Sequence, residues 1–177
     1  MDIEKQTVSD WADCVSTSIL RSVAYTPEER NDKEKRPAPW LYWGVPGIGK
    51  SSGVKQIRAR LEEETGKSWA LSDQRLVQLD AVDFRGVPFV SKGVTWWAQP
   101  SWLPTVERDG EFGILFLDEL FLAQHSVTAC ALQLTLDRRI GDTYKLPDGW
   151  YVIAASNRPE DRAGVMAANT ALCNRFQ

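Results

Sequence analysis

Residues 44–51 have the types and the spacing of a phosphate-binding loop. They read G-V-P-G-I-G-K-S and fit the pattern G-x-x-x-x-G-K-[ST] at every fixed position. Glycines let such a loop curl so that its backbone N–H groups point at phosphate oxygens, while the lysine reaches the β- and γ-phosphates and the serine hydroxyl ligates Mg²⁺. The segment therefore predicts a site for a nucleoside triphosphate, formed by Gly44, Val45, Pro46, Gly47, Ile48, Gly49, Lys50, Ser51 and Ser52.

Two adjacent carboxylates, Asp118 and Glu119, follow an apolar run at residues 113–117. Ligands of open α/β sheets bind at the carboxyl ends of the strands, so both acids are expected in the same crevice as the loop. We expect Asp118 to hold Mg²⁺ together with Ser51, and Glu119 to orient or deprotonate the attacking water. The alternative is a buried strand that simply ends in solvated acids.

Asn157 follows a second apolar run, at residues 150–156. If that strand neighbours the one that carries Asp118, the Asn157 amide can hydrogen-bond both the attacking water and the γ-phosphate. The competing interpretation is an ordinary asparagine in a turn before Pro159.

The elements that must position these residues alternate along the chain. Strands are predicted at residues 40–43, 75–80, 113–118 and 150–156, helices at residues 8–23, 50–64 and 126–139 with Ser126 as the cap of the last, and an exposed connector at residues 26–39. The alternation predicts an α/β fold, a doubly wound parallel sheet with helices on both faces.

The composition argues against several classes of protein. Acidic residues exceed basic ones by three (24 against 21), which gives no general attraction to nucleic acid or to an anionic membrane. The longest apolar run, residues 113–123, contains two carboxylates and is too short to span a bilayer. A single histidine, His125, and three scattered cysteines do not suit a histidine metal site or a Ser-His-Asp hydrolase, and they predict a cytoplasmic chain.

The P-loop, Asp118-Glu119, Asn157 and Asn174-Arg175-Phe176 resemble, in order and spacing, the motifs of the AAA+ ATPases. The resemblance covers residues 37–177 and implies a P-loop NTPase core with sheet order 5-1-4-3-2. It implies ATP and Mg²⁺ as ligands, Asn157 as the sensor of the γ-phosphate, and Arg175 as an arginine finger that completes the site of the neighbouring subunit. The implied assembly is a homo-oligomeric ring, a hexamer.

Within that family the chain is similar to the MoxR-type branch. The similarity lies at residues 134–139, followed by a short strand pair at 141–146, and at residues 83–86, followed by a hairpin at 87–100 that matches an insertion in helix 2. The branch implies an ATPase that remodels or matures a protein client as a chaperone does. The charge balance and the short apolar run argue against a membrane or nucleic acid as partner. Of the adjacent Trp96 and Trp97, at most one can pack on the inner face of that hairpin.

The sequence departs from the pattern of the MoxR-type branch in two places. Residues 120–122 are Leu-Phe-Leu where the branch has a hydrophobic residue, Asn and Arg. The sequence also stops at Gln177, before the fifth strand and the helical lid. We expect residues 1–36 to form a helix and connector that belong to the core, and residues 37–177 to form the AAA+ core itself. Because the fifth strand and the lid are missing from this core, we expect it to be weakly active in isolation.

Three other functions are alternatives for a P-loop sequence of this kind. A P-loop kinase would need a phosphoryl-acceptor pocket, an ATP-gated assembly module would switch by binding with little turnover, and a DNA-associated motor would need a basic stripe that this sequence lacks. Four arginines are interpreted as solvated surface residues or, alternatively, as a second set acting on the neighbouring subunit: Arg138, Arg139, Arg158 and Arg162.

Overall fold

The computed structural model describes residues 7–32, 35–157 and 176. The helices are α1 (Val8–Val23), α2 (Pro27–Asn31), α3 (Lys50–Thr65), α4 (Ala81–Arg85), α5 (Val106–Asp109) and α6 (His125–Asp137). The strands are β1 (Trp40–Trp43), β2 (Ala70–Arg75), β3 (Val87–Ser91), β4 (Val94–Ala98), β5 (Phe112–Asp118), β6 (Arg139–Ile140), β7 (Tyr144–Lys145) and β8 (Gly149–Ser156).

A four-stranded parallel sheet in the order β1-β8-β5-β2 forms the centre of the fold. Numbered as the family numbers its strands, this order is 1-4-3-2, so the expected order is confirmed for these four strands. Strands β5 and β8 lie in the middle and are buried along their whole length. Their near-continuous apolar sequences are what a parallel strand covered on both faces requires.

Helices cover both faces of the sheet, as the alternation of elements predicts. Along β5, Leu115 and Leu117 face the core that contains α6, whereas Ile114 and Phe116 face the core that contains α1 and α3. The two-residue period of a strand places neighbouring side chains on opposite faces, so one strand contributes to both cores. Among the described residues, no helix is both long and apolar enough to cross a lipid bilayer.

Helix α1 packs on α3 and is part of the second core. Thr7 and Asp10 form a capping box at its start, and Trp11, Val15 and Ile19 bury one face. Gly53 of α3 lies against this face, where an added Cβ would come within 2.8 Å of the Val8 side chain. The close approach of the two helices therefore depends on the small size of that glycine.

The second strand lies earlier in the chain than residues 75–80, so that prediction is wrong. Strand β2 pairs with β5 in a register that ends at Arg75 opposite Asp118. Beyond that point β5 turns away at Glu119, whose φ is 60°. The chain after Arg75 has no strand to pair with and forms a short 3-10 turn at Leu76–Gln78.

Three further predictions around α2 and α6 need correction. The connector at residues 26–39 contains α2, which a capping box between Thr26 and Glu29 stabilises. Helix α6 starts at His125 with Gln124 as its N-cap, so Ser126 is not the cap. It ends at Asp137 because Arg138 adopts a left-handed conformation with φ 57°.

Two small antiparallel pairs lie outside the main sheet. Strands β3 and β4 form a hairpin whose turn contains Lys92 and Gly93, both with positive φ, and whose side chains, including Trp96 and Trp97, are exposed. The hairpin lies between the short helices α4 and α5, as expected for an insertion that interrupts a helix. Strands β6 and β7 form the second pair, which begins two residues earlier than predicted.

Candidate functional site

The P-loop joins the end of β1 to the start of α3 at the carboxyl edge of the sheet. The Gly44 N–H donates to the Ser156 carbonyl of β8 at 3.2 Å, which fixes the entry of the loop. Gly47 and Gly49 have φ values of 81° and 97°, a region that other residues occupy only at a cost. The backbone path therefore favours glycine at positions 47 and 49 of the loop.

Lys50 is the first residue of α3, and three oxygen acceptors surround its ammonium group. Nζ donates to the Gly44 carbonyl at 2.9 Å, to the Val45 carbonyl at 3.3 Å and to Asn157 Oδ1 at 2.8 Å. Ser51 and Ser52 follow in the first turn of α3, the former half-buried and the latter exposed. The exposed outer part of the loop consists of Val45, Pro46, Gly47 and Ile48.

Asn157 stands immediately after β8, between the P-loop strand and the strand that carries the carboxylates. Its side chain is only 3% exposed, so an unpaired amide there would carry a desolvation cost. The contact with Lys50 satisfies its oxygen. Because β8 pairs with both β1 and β5, the structure brings Asn157 to the crevice where the sequence analysis placed it.

Asp118 ends β5 and Glu119 begins the turn that follows. Asp118 is buried, and its Oδ1 accepts from the Glu119 N–H at 2.9 Å. Glu119 is half-buried and holds a left-handed backbone conformation that is uncommon for this residue type. The Leu120 N–H donates to the Ala155 carbonyl at 3.0 Å. This bond holds the turn against β8 and stabilises the left-handed conformation of Glu119.

A further carboxylate, Asp73, lies close to this site. It sits on β2 opposite Phe116, two positions before the level of Asp118, and therefore on the same face of the sheet. Asp73 is largely exposed, but partial desolvation at the sheet raises the pKa of its carboxyl, and the negative charge of Asp118 raises this pKa further. The sequence analysis missed this neighbour because it placed the second strand five residues too late.

The donor set at this edge fits a magnesium ion held in part by a nucleotide. Within the ranges that the structure describes, no group of three or more His, Cys, Asp or Glu side chains forms a metal cluster. Mg²⁺ is usually bound through one or two carboxylates plus substrate phosphates and water. Asp118 and the Ser51 hydroxyl are the residues that would supply oxygen ligands of that kind here.

The predicted arginines and the single histidine lie outside the site described above or outside the described residues. Arg175 lies outside the described residues, as do Arg158 and Arg162. Arg138 does not belong to the solvated surface, because it is only 7% exposed. His125 is exposed at the start of α6 and takes no part in this site.

Comparison with solved structures shows the same fold in larger proteins. A proposed ATPase from Cytophaga hutchinsonii aligns with a TM-score of 0.56 at 18% identity over 96% of this chain and 45% of its own. The closed state of Hsp104 with ATPγS and FITC casein gives 0.57 at 19% identity, over 95% of this chain and 30% of its own.

A lysine-to-arginine mutant of RuvB from Thermotoga maritima aligns with a TM-score of 0.50 at 17% identity, over 90% of this chain and 43% of its own. The chain thus spans less than half the length of each of these structures. No curated protein sequence matches it.

The sequence itself matches a family model. Residues 40–176 match the family described as AAA domain, dynein-related subfamily. The matched segment runs from the first residue of β1 past the end of β8, and so includes the P-loop, both carboxylates and Asn157. The chain belongs to the dynein-related subfamily of the AAA domain family and is an AAA+ ATPase domain.

Proposed function

We propose that this chain binds Mg-ATP at the P-loop and hydrolyses it as one subunit of a ring that remodels or matures a protein client. The observation that carries the proposal is the contact between Lys50 and Asn157. It joins the phosphate-binding loop to the end of the strand beside Asp118 and Glu119. Binding groups and hydrolytic groups therefore share one crevice.

Phosphate binding rests on the loop and on Lys50. The backbone N–H groups of a P-loop and the amino end of its helix favour an anion. The Gly44 and Val45 acceptors of Lys50 are neutral carbonyl oxygens, and the Asn157 acceptor is a neutral amide oxygen. A phosphate oxygen is a stronger acceptor because it is charged, so we infer that ATP takes Lys50 from some of these partners.

Hydrolysis rests on Glu119 and Asn157. The turn after β5 holds the Glu119 carboxylate half-exposed beside a buried acid, where it is suited to orient or deprotonate a water. Such general-base catalysis contributes about 10²- to 10⁴-fold in rate. Asn157 would hydrogen-bond the γ-phosphate and the attacking water through the amide that now contacts Lys50.

The metal has a defined place in this proposal. Ser51 and Asp118 would hold Mg²⁺, which when bound neutralises charge on the phosphates. The carboxylate of Asp73 adds negative charge on the same face of the sheet. That charge further favours a cation at this edge.

The MoxR-type assignment is supported by two local features. One is the β3–β4 hairpin between the short helices α4 and α5, and the other is the β6–β7 pair between α6 and β8. A protein client is consistent with the net charge of −3, which gives no general attraction to nucleic acid. The Hsp104 structure was solved with casein, and by analogy we assign a protein client to this chain too.

Turnover of ATP by matched variants tests the proposal. ATP affinity and Mg²⁺-dependent turnover per subunit are measured for the wild type, Glu119→Gln and Lys50→Ala over a wide range of protein concentrations. We expect Glu119→Gln to keep ATP and lose about 10²- to 10⁴-fold in turnover, and Lys50→Ala to lose ATP binding. Equal turnover by the wild type and Glu119→Gln would contradict the assigned role of Glu119.

Ring assembly is tested by the same assay. An arginine finger contributes about 10³- to 10⁵-fold, so turnover per subunit should rise with concentration if Arg175 completes a neighbouring site. An Arg175→Ala chain mixed with a Glu119→Gln chain should then recover part of the activity, since some interfaces keep both groups. Tight ATP binding with turnover no higher than that of Lys50→Ala at any concentration would favour the ATP-gated binding module instead.

A further inference from the structure

Two aromatic side chains stack at the junction between the P-loop and the turn that carries Glu119. Trp43 is the last residue of β1 and directly precedes the loop, and Phe121 lies two residues after Glu119. The ring centroids are 5.1 Å apart and the ring planes differ by only 3°, so the rings are parallel. Neither side chain belongs to the groups that bind phosphate or act on water.

The stack connects two parts of the sheet that are not neighbours. Strand β8 lies between β1 and β5 in the sheet. Trp43 is opposite Ser156, the last residue of β8, and Trp43 and Phe121 both pack in the core that contains α6. The Phe121 N–H donates to the Ser156 hydroxyl at 3.3 Å. The strand that leads into the P-loop and the turn after β5 therefore meet at the end of the strand between them.

Glu119 needs support from its surroundings, because its φ of 60° lies in the left-handed region. A residue in this region keeps its conformation only where the surrounding structure holds it. The Leu120 N–H donates to the Ala155 carbonyl at 3.0 Å, an ordinary length. The bond from the Phe121 N–H is 3.3 Å long, beyond the usual range of about 2.7–3.2 Å, and so holds the turn only weakly.

The ring of Phe121 supplies the stronger attachment. Phe121 is 3% exposed, whereas Trp43 is half-buried. Burial of a phenyl ring contributes about twice as much as a typical hydrogen bond between neutral groups, and a stacked aromatic partner adds to this. The contact with Trp43 is therefore a main support of the turn.

We propose that Trp43 and Phe121 are positioning residues for hydrolysis, whose stack holds the turn after β5 so that the Glu119 carboxylate is directed at the nucleotide site. The proposal rests on the role in hydrolysis proposed for Glu119. Neither ring contacts the reacting atoms, and both act through the backbone of the turn. Because Trp43 directly precedes Gly44, the same contact ties the position of the carboxylate to that of the loop.

Hydrogen exchange of backbone amides tests whether the stack holds the turn. The exchange rates of the Leu120 and Phe121 N–H groups are compared with that of Leu115, in the middle of β5, in the wild type, Trp43→Leu and Trp43→Phe. Trp43→Leu should raise the two turn rates relative to that of Leu115 by about two- to tenfold, as loss of an aromatic pair requires. Trp43→Phe keeps a ring and should stay closer to the wild type. Unchanged relative rates in Trp43→Leu would overturn the proposal.

Turnover of Mg-ATP tests whether the position of the turn matters for catalysis. Trp43→Leu should lower kcat by about 10- to 100-fold, because a small displacement of a catalytic group has a large effect on rate, while ATP affinity changes much less. In the Glu119→Gln background the same change should have little further effect, since the carboxylate that the stack positions is already absent. An equal loss in both backgrounds would overturn the proposal, because Trp43 would then act on the loop or on overall stability.

Two phenylalanines of the same core form a matched pair of variants. Phe121→Leu should reproduce the loss of kcat, and it replaces Trp43→Leu if that variant does not fold. Phe84→Leu removes a comparably buried ring that packs on Trp102 instead, and should keep the wild-type kcat. A similar loss of kcat in Phe121→Leu and Phe84→Leu would overturn the proposal in favour of a general effect of core packing.

Failure of the proposed function gives a different result from failure of this inference. If Glu119 has no role, the wild type and Glu119→Gln have equal turnover, and the exchange rates alone then decide whether the stack holds the turn. If only the inference is wrong, Glu119→Gln still loses turnover, whereas Trp43→Leu and Phe121→Leu keep the kcat of the wild type.

Discussion

Lys50 Nζ and Asn157 Oδ1 lie 2.8 Å apart, although the two residues are 107 positions apart in the chain. The contact connects the first residue of the P-loop helix to the residue after β8. It exists because β8 pairs in parallel with β1, which brings the carboxyl ends of both strands to one edge. This hydrogen bond therefore joins the P-loop helix directly to the end of β8.

Replacing Asn157 should affect turnover more than binding. In Asn157→Ala the loop amides and Lys50 should still hold the phosphates, but the amide proposed to contact the γ-phosphate and the attacking water is lost. Loss of one such group costs about 10²- to 10³-fold in kcat. We expect that decrease with less than a tenfold change in ATP affinity, measured by single-turnover kinetics and by equilibrium titration. A larger loss of affinity than of kcat would instead show that Asn157 acts only by supporting Lys50.

The backbone conformation at Glu119 favours glycine, whereas the proposed hydrolysis requires the Glu119 carboxylate. Its φ of 60° lies in the left-handed region, which costs a residue with a Cβ about 1–2 kcal/mol relative to glycine. We expect Glu119→Gly to be more stable than Glu119→Ala by about 1 kcal/mol, measured by urea unfolding. Both variants should lose turnover, because both lack the carboxylate. Equal stability of the two variants would mean that the turn relaxes and stores no strain.

The motifs were predictable from the sequence because each carries its own local chemistry. The loop at residues 44–51 contains its glycines, its lysine and its serine in one segment, so no tertiary information is needed. Strands β5 and β8 were found almost to the residue, because continuous apolar runs are typical of buried parallel strands. These two strands then placed Asp118 and Asn157 at one edge of the sheet.

The features that the sequence did not reveal depend on tertiary pairing. Strand β2 lies at the edge of the sheet and mixes polar with apolar residues, so only its register with β5 defines its bounds. Asp73 was missed for that reason. Arg138 looked like a surface arginine because nothing local shows that carbonyls of residues 147 and 150 accept from it.

The packing of α1 on α3 should be sensitive to one methyl group. In Gly53→Ala the new Cβ would lie 2.8 Å from Val8 Cγ1 and 3.1 Å from Trp11 Cζ3, so α1 must shift. Overpacking of this kind typically costs about 1–3 kcal/mol. We expect lower stability in urea unfolding. Val8→Ala should restore part of that loss when it is combined with Gly53→Ala, because it removes the nearer clash. If the changes in unfolding free energy of the two single variants simply add in the double variant, the two residues are not in this contact.

Asp73 should make the stability of the protein depend on pH in a defined direction. Its pKa is raised in the folded state, first by partial desolvation of this largely exposed side chain and then by the charge of Asp118, from a value of 3.8 for the free group. The unfolded chain therefore releases this proton at a lower pH than the folded chain does. It follows that Asp73 lowers stability at neutral pH, and that this cost disappears as the pH falls through the raised pKa towards 3.8.

The variant Asp73→Asn removes that cost. We expect it to melt at a higher temperature than the wild type at pH 7, with the difference shrinking as the pH is lowered into the range of carboxylate titration. Asp142→Asn, which replaces an exposed carboxylate in the turn between β6 and β7, serves as the control for the loss of one negative charge. Mg-ATP should reduce the benefit of Asp73→Asn, because a cation near Asp118 offsets the repulsion between the two carboxylates. An advantage of Asp73→Asn that stays constant with pH would show that the variant acts through packing and not through charge.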